Sequence, residues 1–171
     1  TLHGKLENKK EIKNIDKIEE LKECSFLQEN CPENLDLKQT LISDLERIVS
    51  NETIIASSTS SFLPSELREV CDNPDRVLVG HPMNPPHLIP LVEIVMGETE
   101  NLKIQNRVHN FYLSLNRKPV HVKKEMRGHL ANRLTAALYR EAVHLVSEGI
   151  ADVADVDAVI SDGPGLRLAL L

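Results

Sequence analysis

The sequence predicts an α/β fold in which a mostly parallel sheet is followed by a helical segment. Short runs rich in Val and Ile alternate with segments of helical periodicity, which is typical of βαβ units. Polar or proline-rich loops follow several of these runs, where parallel strands would end. From residue 123 onward the pattern becomes helical. We therefore expect an α/β part over residues 1–122 and a helical part over residues 123–171.

The first predicted elements are two strands separated by a helix. Residues 1 to about 23 lack a clean period and indicate either a solvated helix or a connection. Strands are predicted at residues 25–28 and, from their β-branched composition, at residues 53–56. Between them, apolar residues at spacings of four, four and three predict one face of an amphipathic helix. That face consists of Leu37, Leu41, Leu45 and Ile48.

The alternation then continues before the pattern changes. The next predicted elements are a polar loop at residues 57–61, a short helix at 64–70, strands at 77–79 and 91–95, a helix at 104–115 and a strand at 119–122. A long helix is then predicted from Leu130, and Gly149 is placed to end it. A further helix is predicted at residues 152–160.

Composition limits the classes of function. The chain has 171 residues, of which 41% are hydrophobic, and a net charge of −6. It has no basic stripe of the kind that binds nucleic acid, and no apolar run approaches the roughly 18–20 residues of a membrane span. Cys24, Cys31 and Cys71 form no C-x-x-C pair, so we expect neither a disulfide framework nor a zinc site. Free thiols in a reducing compartment predict a cytoplasmic protein.

The loop SSTSS at residues 57–61 is the first candidate binding site. Ligands of open α/β sheets bind beyond the carboxyl ends of the strands, where this loop is expected. Its hydroxyl groups could hold a ligand, but they could equally cap a helix or form an ordinary turn.

The stretch GHPMNPPHLIPLVEIV at residues 80–95 contains the second candidate. His81 follows one predicted strand and Glu93 lies within the next, so adjacent strands could bring imidazole and carboxylate together. The carboxylate would fix the ring tautomer, and the other ring nitrogen could act as a general base. The alternative is a satisfied core histidine and an unrelated surface glutamate. A metal at His81 and His87 is not expected, because no third ligand is obvious.

Further polar residues lie near the start of the long helix. Asn132, followed by Arg133, could hold a substrate oxygen if it faces a cleft, or it could simply cap the helix. The remaining histidines that lack polar neighbours are expected to be surface or packing residues. These are His109, His121 and His144.

The order and spacing of these motifs resemble one known family. ASSTSS, GHPMNP, PLVEIV and GHLANR follow one another as in the L-3-hydroxyacyl-CoA dehydrogenase family, over about residues 26–171. The segments IIASSTSSFLPSEL and REAVHLVSEGIAD resemble the carnitine 3-dehydrogenase and L-gulonate 3-dehydrogenase (lambda-crystallin) branch of the family more than its mitochondrial acyl-CoA enzymes. The resemblance implies part of a Rossmann-like NAD-binding domain over residues 1–122 and the start of an all-α dimerisation domain over 123–171. It also implies a homodimer.

The resemblance implies roles for individual residues, with NAD as the cofactor. His81 matches the catalytic histidine and Glu93 its partner, while Ser60 and Asn132 match residues that hold the reacting oxygen. The implied reaction oxidises the 3-hydroxy group of an acyl-CoA or of a small 3-hydroxy acid, with proton transfer to His81 and hydride transfer to NAD. Cofactor contacts are implied for Glu29, Asn34, Ser58, Ser60 and Asn84.

Three features depart from the family pattern. No G-x-G-x-x-G occurs, although the family carries this pyrophosphate-binding motif on its first strand and helix. The sequence also stops at LRLALL, where the family continues through its helical domain. We therefore expect the middle of an enzyme, with little NAD binding or activity alone; the alternative is a catalytically inert, crystallin-like or degraded relative. Finally, His129 places a polar ring where the family usually has Phe.

Overall fold

A five-stranded sheet forms the centre of the computed structural model, which describes residues 13–98 and 101–166. The strands are β1 (Phe26–Glu29), β2 (Ile54–Ser57), β3 (Val77–Pro82), β4 (Leu91–Val95) and β5 (Lys118–Val122), and they lie side by side in chain order. β1, β2 and β3 are parallel, β4 is antiparallel to β3, and β5 is parallel to β4. The predicted mostly parallel sheet is confirmed.

Helices cover both faces of the sheet and continue beyond it. The described α-helices are α1 (Leu35–Ile48), α2 (Pro64–Arg68), α3 (Leu102–Ser114), α4 (Ala131–Ser147) and α5 (Val153–Asp162). Short 3₁₀ turns occur at Ile18–Leu21 and Pro74–Arg76. Each strand and helix predicted after residue 24 has a counterpart. Much of the segment expected to be a solvated helix or a connection, residues 1–12, and most of the terminal LRLALL lie outside the described residues.

The two faces of the sheet bury separate apolar clusters. On one face, Ile42 of α1 and Leu67 of α2 pack against Ile55 of β2. On the other face, Val108 and Tyr112 of α3 pack against side chains of the central strands. Because side chains alternate along a strand, Val77, Val79 and His81 share the face that carries α1 and α2.

The buried face of α1 differs from the predicted one. Leu37 is 44% exposed, whereas Lys38, Ile42 and Leu45 are buried. Leu45 of the predicted face is buried and Leu41 packs against the same cluster, so the prediction is wrong at Leu37, where it counted only apolar residues. Lys38 belongs to the buried face because its ammonium group finds carboxylate partners in the interior, which an apolar pattern does not reveal.

The strand pairing positions the candidate site. His81 lies directly opposite Glu93 in the antiparallel β3–β4 pair. Glu29 and Ser57 are the last residues of β1 and β2, so they lie at the same carboxyl edge as His81. The predicted meeting of imidazole and carboxylate is therefore a consequence of sheet register, and the polar groups collect where an open α/β sheet binds ligands.

The chain passes from β5 into α4 through residues 123–130. α4 and α5 contact each other, and both carry exposed apolar side chains, including Leu134, Tyr139 and Val159. Gly149 follows α4 with a φ of +67°, the left-handed conformation expected of a residue that ends a helix. Within residues 13–98 and 101–166, no helix is both long enough and apolar enough to cross a membrane.

Gly80 permits a close approach between β3 and α3. A Cβ at this position would overlap Tyr112 Oη and lie 2.9 Å from Tyr112 Cζ and 3.3 Å from the Ala56 Cβ. The Tyr112 hydroxyl donates to Gln28 Oε1 at 2.5 Å, and Gln28 Nε2 donates to the Gly80 carbonyl at 3.0 Å. Burial raises the pKa of the Tyr112 phenol, which therefore remains a donor at neutral pH. Tyr112 thus occupies the space that any side chain at position 80 would need.

Replacing Gly80 with alanine is expected to lower the free energy of unfolding by about 2 kcal/mol or more, because the added methyl group overpacks the core. Urea denaturation of the complete gene product measures this loss. Tyr112→Phe removes the closest atom, so we expect Gly80→Ala to cost less in a Tyr112→Phe background than in the unaltered protein. An equal cost in both backgrounds would show that the Tyr112 hydroxyl does not cause the strain.

Candidate active site

His81 and Glu93 form a buried pair at the carboxyl edge of the sheet. His81 Nδ1 lies 2.9 Å from Glu93 Oε2, and Glu93 is 1% exposed. The alternative of a surface glutamate is therefore wrong. Because an ionised carboxylate only accepts hydrogen bonds, Nδ1 carries the hydrogen and Nε2 of the neutral ring carries a lone pair. Within the described residues, Nε2 of His81 makes no hydrogen bond, so it is available to a ligand.

The second oxygen of Glu93 is bound by the start of α4. Glu93 Oε1 accepts hydrogen bonds from the backbone N–H groups of Leu130 at 2.8 Å and Ala131 at 2.9 Å. Burial raises the pKa of the Glu93 carboxyl, but the hydrogen bonds from His81, Ala131 and Leu130 outweigh burial and hold the pKa below its usual value. Glu93 is therefore an ionised carboxylate at neutral pH, fixed between β3 and the helical part.

Some hydroxyl groups of the SSTSS loop form hydrogen bonds within the protein, and others have no partner in the described residues. Ser57 Oγ donates to Glu29 Oε2 at 2.5 Å, and Thr59 Oγ1 accepts from the backbone N–H of Phe62 at 3.0 Å. The hydroxyls of Ser58 and Ser60 make no hydrogen bond to the part of the chain that the structure describes, and both residues are half-buried. The turn interpretation therefore applies to Ser57 and Thr59, while Ser58 and Ser60 remain available to a ligand.

Glu33 organises this loop, and the sequence analysis missed it. Its Oε1 accepts from the Ser60 and Ser61 backbone N–H groups at 3.2 and 3.1 Å and from the Ser61 hydroxyl at 2.6 Å. The Thr59 hydroxyl donates to the same oxygen at 2.5 Å. Burial raises the pKa of the Glu33 carboxyl. The hydrogen bonds from Ser61 and Thr59 and the positive charge of Lys38 lower that pKa by more, so the net shift is downward.

Glu29 and Lys38 form a buried ion pair beneath the loop. Lys38 Nζ lies 2.9 and 3.0 Å from the two carboxylate oxygens of Glu29, and also donates to the Cys31 carbonyl at 3.0 Å. The Ser57 hydroxyl and the backbone N–H of Cys31 donate hydrogen bonds to the same carboxylate. The carboxylate of Glu29 is thus engaged within the protein, and its contact with a cofactor stays a prediction. The spacing of Lys38 from Ile42 and Leu45 was the available sequence signal for its burial.

The three predicted asparagines occupy different places. Asn34 Oδ1 accepts from the Leu37 N–H at 2.9 Å and so caps α1. Asn84 is exposed in the turn between β3 and β4. Asn132 lies inside α4, whose N-cap is Leu130, so the capping interpretation of Asn132 is wrong. Instead, Asn132 Nδ2 donates to the Ser60 carbonyl at 3.5 Å, which brings Asn132 and Ser60 together beside the His81–Glu93 pair.

Three other histidines are buried or have polar neighbours. His129 is fully buried, its Nε2 lies 3.1 Å from the Thr59 carbonyl, and its ring centroid is 5.2 Å from that of His81.

The expectation that His109 and His121 lack polar neighbours is wrong. His109 Nδ1 lies 3.0 Å from His121 Nε2, and Gln105 Nε2 lies 3.1 Å from His121 Nδ1, because α3 packs on β5.

Metal-ligating side chains do not cluster in the described ranges. Among residues 13–98 and 101–166, no group of three or more His, Cys, Asp or Glu side chains has the geometry to hold a metal ion. Cys24, Cys31 and Cys71 are free thiols.

A mostly parallel sheet with polar side chains at the carboxyl ends of its strands is the arrangement of open α/β ligand-binding domains. Residues 5–126 match the family model of the 3-hydroxyacyl-CoA dehydrogenase NAD-binding domain, and residues 128–171 match that of the 3-hydroxyacyl-CoA dehydrogenase C-terminal domain. The chain belongs to the 3-hydroxyacyl-CoA dehydrogenase family.

Sequence relatives include L-carnitine dehydrogenases. The chain is 45% identical to the L-carnitine dehydrogenase of Oceanobacillus iheyensis, covering 91% of this chain and 51% of the relative. It is 43% identical to that of Bacillus cereus, with coverage of 92% and 48%. A 3-hydroxyacyl-CoA dehydrogenase of Gibberella moniliformis is 44% identical, with coverage of 88% and 48%. The chain thus spans about half the length of these relatives.

Solved structures show the same fold. An NAD⁺-dependent 5-formyl-3-hydroxy-2-methylpyridine 4-carboxylic acid 5-dehydrogenase superposes with a TM-score of 0.86 at 33% identity, covering 92% of this chain and 51% of that chain. The 3-hydroxyacyl-CoA dehydrogenase of Archaeoglobus fulgidus superposes with a TM-score of 0.79 at 33% identity, with coverage of 88% and 51%. The Rossmann-like prediction is therefore confirmed.

Proposed function

We propose that the complete gene product is an NAD-dependent oxidoreductase that oxidises a 3-hydroxy group, with His81 as the base and Glu93 as its partner. One observation carries the proposal. The buried His81–Glu93 pair presents an unengaged Nε2 at the carboxyl edge of the sheet, beside Ser60 and Asn132. A base needs a free lone pair within reach of the hydroxyl proton, and His81 has one.

The Glu93 carboxylate gives His81 its acid–base role. When Nε2 of His81 takes the hydroxyl proton, the ring becomes an imidazolium whose charge Glu93 Oε2 stabilises at 2.9 Å. Because Leu130 and Ala131 fix the other Glu93 oxygen, the carboxylate does not have to reorganise as that charge forms. NAD, when bound, would accept the hydride from the carbon that bears this hydroxyl group, while the proton leaves from the hydroxyl oxygen.

Ser60 and Asn132 are proposed to orient the reacting oxygen. The 3.5 Å contact between Asn132 Nδ2 and the Ser60 carbonyl places both residues in one corner of the site. The Ser60 hydroxyl and the second amide hydrogen of Asn132 can then donate to an oxygen whose charge changes during the reaction. Neither group needs a large movement, since α4 and the Glu33-bound loop hold their backbones.

The residues at this edge fit the nicotinamide end of NAD. Ser58 and Ser60 offer half-buried hydroxyls without a partner in the described region, and such groups suit an amide-bearing ring. Asn84 is exposed in the adjoining turn. The side chain of Glu29 binds Ser57, and that of Asn34 caps α1. For these two residues we propose contacts with NAD through backbone groups of the connection between β1 and α1. Weak NAD binding by the isolated chain stays a prediction.

The proposed substrate is a small 3-hydroxy acid, with L-carnitine as the first choice. Support comes from the L-carnitine dehydrogenase names of relatives that are 45% and 43% identical to the chain. An acyl-CoA is the second candidate, because a 3-hydroxyacyl-CoA dehydrogenase is 44% identical.

Steady-state NADH formation by the complete gene product with L-carnitine, L-gulonate and 3-hydroxybutyryl-CoA tests this assignment. We expect kcat/KM for L-carnitine to exceed the other two by about tenfold or more, a discrimination of at least roughly 1.4 kcal/mol. Preference for the CoA ester would reject L-carnitine as the substrate but would still support oxidation of a 3-hydroxy group. No NADH from any substrate would instead favour the catalytically inert, crystallin-like relative. His81→Gln serves as the blank for contaminating activity.

The exposed apolar surface of α4 and α5 and the free cysteines bear on the oligomeric state and the cellular location of the protein. The exposed apolar residues of α4 and α5, such as Leu134 at 72% and Tyr139 at 71% exposure, support a homodimer of the complete protein formed through its helical part. The free thiols of Cys24, Cys31 and Cys71 support a reducing compartment, and we propose the cytoplasm.

A further inference from the structure

His129 is a buried polar ring between the two halves of the candidate site. It is fully buried, and its Nε2 lies 3.1 Å from the Thr59 carbonyl in the SSTSS loop. A carbonyl oxygen only accepts, so Nε2 carries the hydrogen and Nδ1 of the neutral ring carries the lone pair. The same ring stands 5.2 Å from that of His81, tilted by 53°. His129 therefore touches the base and the serine loop at once.

The backbone around His129 is bound to the other half of the pair. Gly128 and His129 have φ values of +77° and +48°, an unusual succession of left-handed residues. The turn that they form directs the next two backbone N–H groups, those of Leu130 and Ala131, onto Glu93 Oε1. Residues 129–131 thus bridge Glu93 on β4 and Thr59 in the loop after β2.

We propose that His129 is a positioning residue that sets the distance between the Ser60 loop and the His81–Glu93 pair. This inference rests on the proposed function. The Nε2–H of His129 holds the Thr59 carbonyl, and Asn132 holds the carbonyl of the next residue, Ser60. The two contacts fix consecutive peptides of the loop from one side, while the His129 ring limits the rotation of the His81 ring by packing against it.

The neutral form of His129 suits this role. Its Nδ1 is buried and has no hydrogen-bond partner among the described residues, so a proton there would be an uncompensated buried charge next to His81. Burial lowers the pKa of His129; the Thr59 carbonyl and the nearby carboxylates of Glu93 and Glu33 oppose that shift without cancelling it. The site therefore contains two histidine rings, of which the one paired with Glu93 is suited to carry charge.

Two variants of the complete gene product separate the hydrogen bond from the ring. His129→Phe keeps an aromatic ring and loses the donor, whereas His129→Gln keeps an N–H near the Nε2 position and loses the ring. We expect kcat of His129→Phe to fall about tenfold, the size of one lost hydrogen bond. KM for NAD should change less than about threefold, because the loop is misplaced rather than removed. His129→Gln should retain more than about a third of kcat.

A deuterium isotope effect distinguishes positioning from simple loss of folded protein. With a substrate deuterated at the reacting carbon, the isotope effect on kcat should rise in His129→Phe, because slower hydride transfer becomes more rate-limiting. Partial unfolding would lower apparent kcat but leave the isotope effect unchanged. His144→Phe, an exposed position on α4, is the matched control.

The inference is overturned if folded His129→Phe keeps the kcat and isotope effect of the unaltered protein. It is also overturned if folded His129→Gln loses as much kcat as His129→Phe, because keeping an N–H donor would then preserve no activity. Should His129→Phe fail to fold, the His129→Gln result decides by itself. Failure of the unaltered protein to form NADH is a different outcome, because it rejects the proposed function.

Discussion

Glu93→Gln in the complete gene product is expected to lower kcat by about a hundredfold or more while leaving NAD affinity within about twofold. The substitution keeps the shape of the side chain and removes its negative charge. The buried His81 imidazolium then loses the carboxylate that lies 2.9 Å from Nδ1. Glutamine also offers an amide that can donate, so the tautomer of His81 is no longer fixed. Turnover with the preferred substrate and calorimetric titration of NAD measure the two effects.

The matched control is Glu98→Gln. Glu98 follows β4 on the same segment of chain but is exposed, so removal of its charge should leave kcat within about twofold. An unchanged kcat in Glu93→Gln would reject Glu93 as the partner of His81. A large loss of NAD affinity with unchanged kcat would instead give Glu93 a role in cofactor binding.

Lys38→Met is expected to have the largest effect on stability, a loss of about 3–5 kcal/mol in the free energy of unfolding. Lys38 and Glu29 have side-chain exposures of 1% and 0%, and their closest atoms are 2.9 Å apart. Methionine fits the space of the lysine stem but leaves the Glu29 carboxylate buried without its cation. Chemical denaturation followed by circular dichroism measures the loss.

The double variant Lys38→Met/Glu29→Gln tests the physical cause. If the cost of Lys38→Met is the uncompensated charge of Glu29, neutralising that charge should recover about half of the lost stability or more. Lys22→Met, at an exposed position, controls for the substitution itself and should change stability by less than about 0.5 kcal/mol. Additive losses in the double variant would show that each side chain contributes through packing alone.

The sequence predicted the features that depend on local pattern. Strands such as Leu91–Val95 were predicted because β-branched runs are bounded by proline and polar residues. The carboxyl ends of the parallel strands β2 and β3 located the candidate site. His81 and Glu93 could be paired in advance because the short proline-rich turn between them leaves adjacent strands as the simplest arrangement. Asn132 contacts the Ser60 carbonyl instead of capping α4, and its contact with a substrate stays a prediction.

The supporting contacts could not be predicted, because they join residues far apart in the chain. Glu33 binds a loop 26–28 residues away, and His129 reaches Thr59 across 70 residues. A charged or polar residue is usually exposed. The spacing of Lys38 and the replacement of Phe by His129 were signals of burial, but neither identified the groups that these side chains contact. The same reason explains why Leu37 rather than Lys38 was assigned to the buried face of α1. Local pattern located the His81–Glu93 pair, while the contacts that hold the pair in place depend on the folded sheet.

The measurement that tests the central claim most directly is single-turnover NADH formation by His81→Gln, Glu93→Gln and the double variant of the complete gene product. If the two residues act as one acid–base unit, Glu93→Gln should cost about a hundredfold in the unaltered background and less than about threefold when His81 is already glutamine. NAD should bind all forms with similar affinity. Losses that multiply in the double variant would contradict the account, because independent effects would mean that Glu93 does not act through His81.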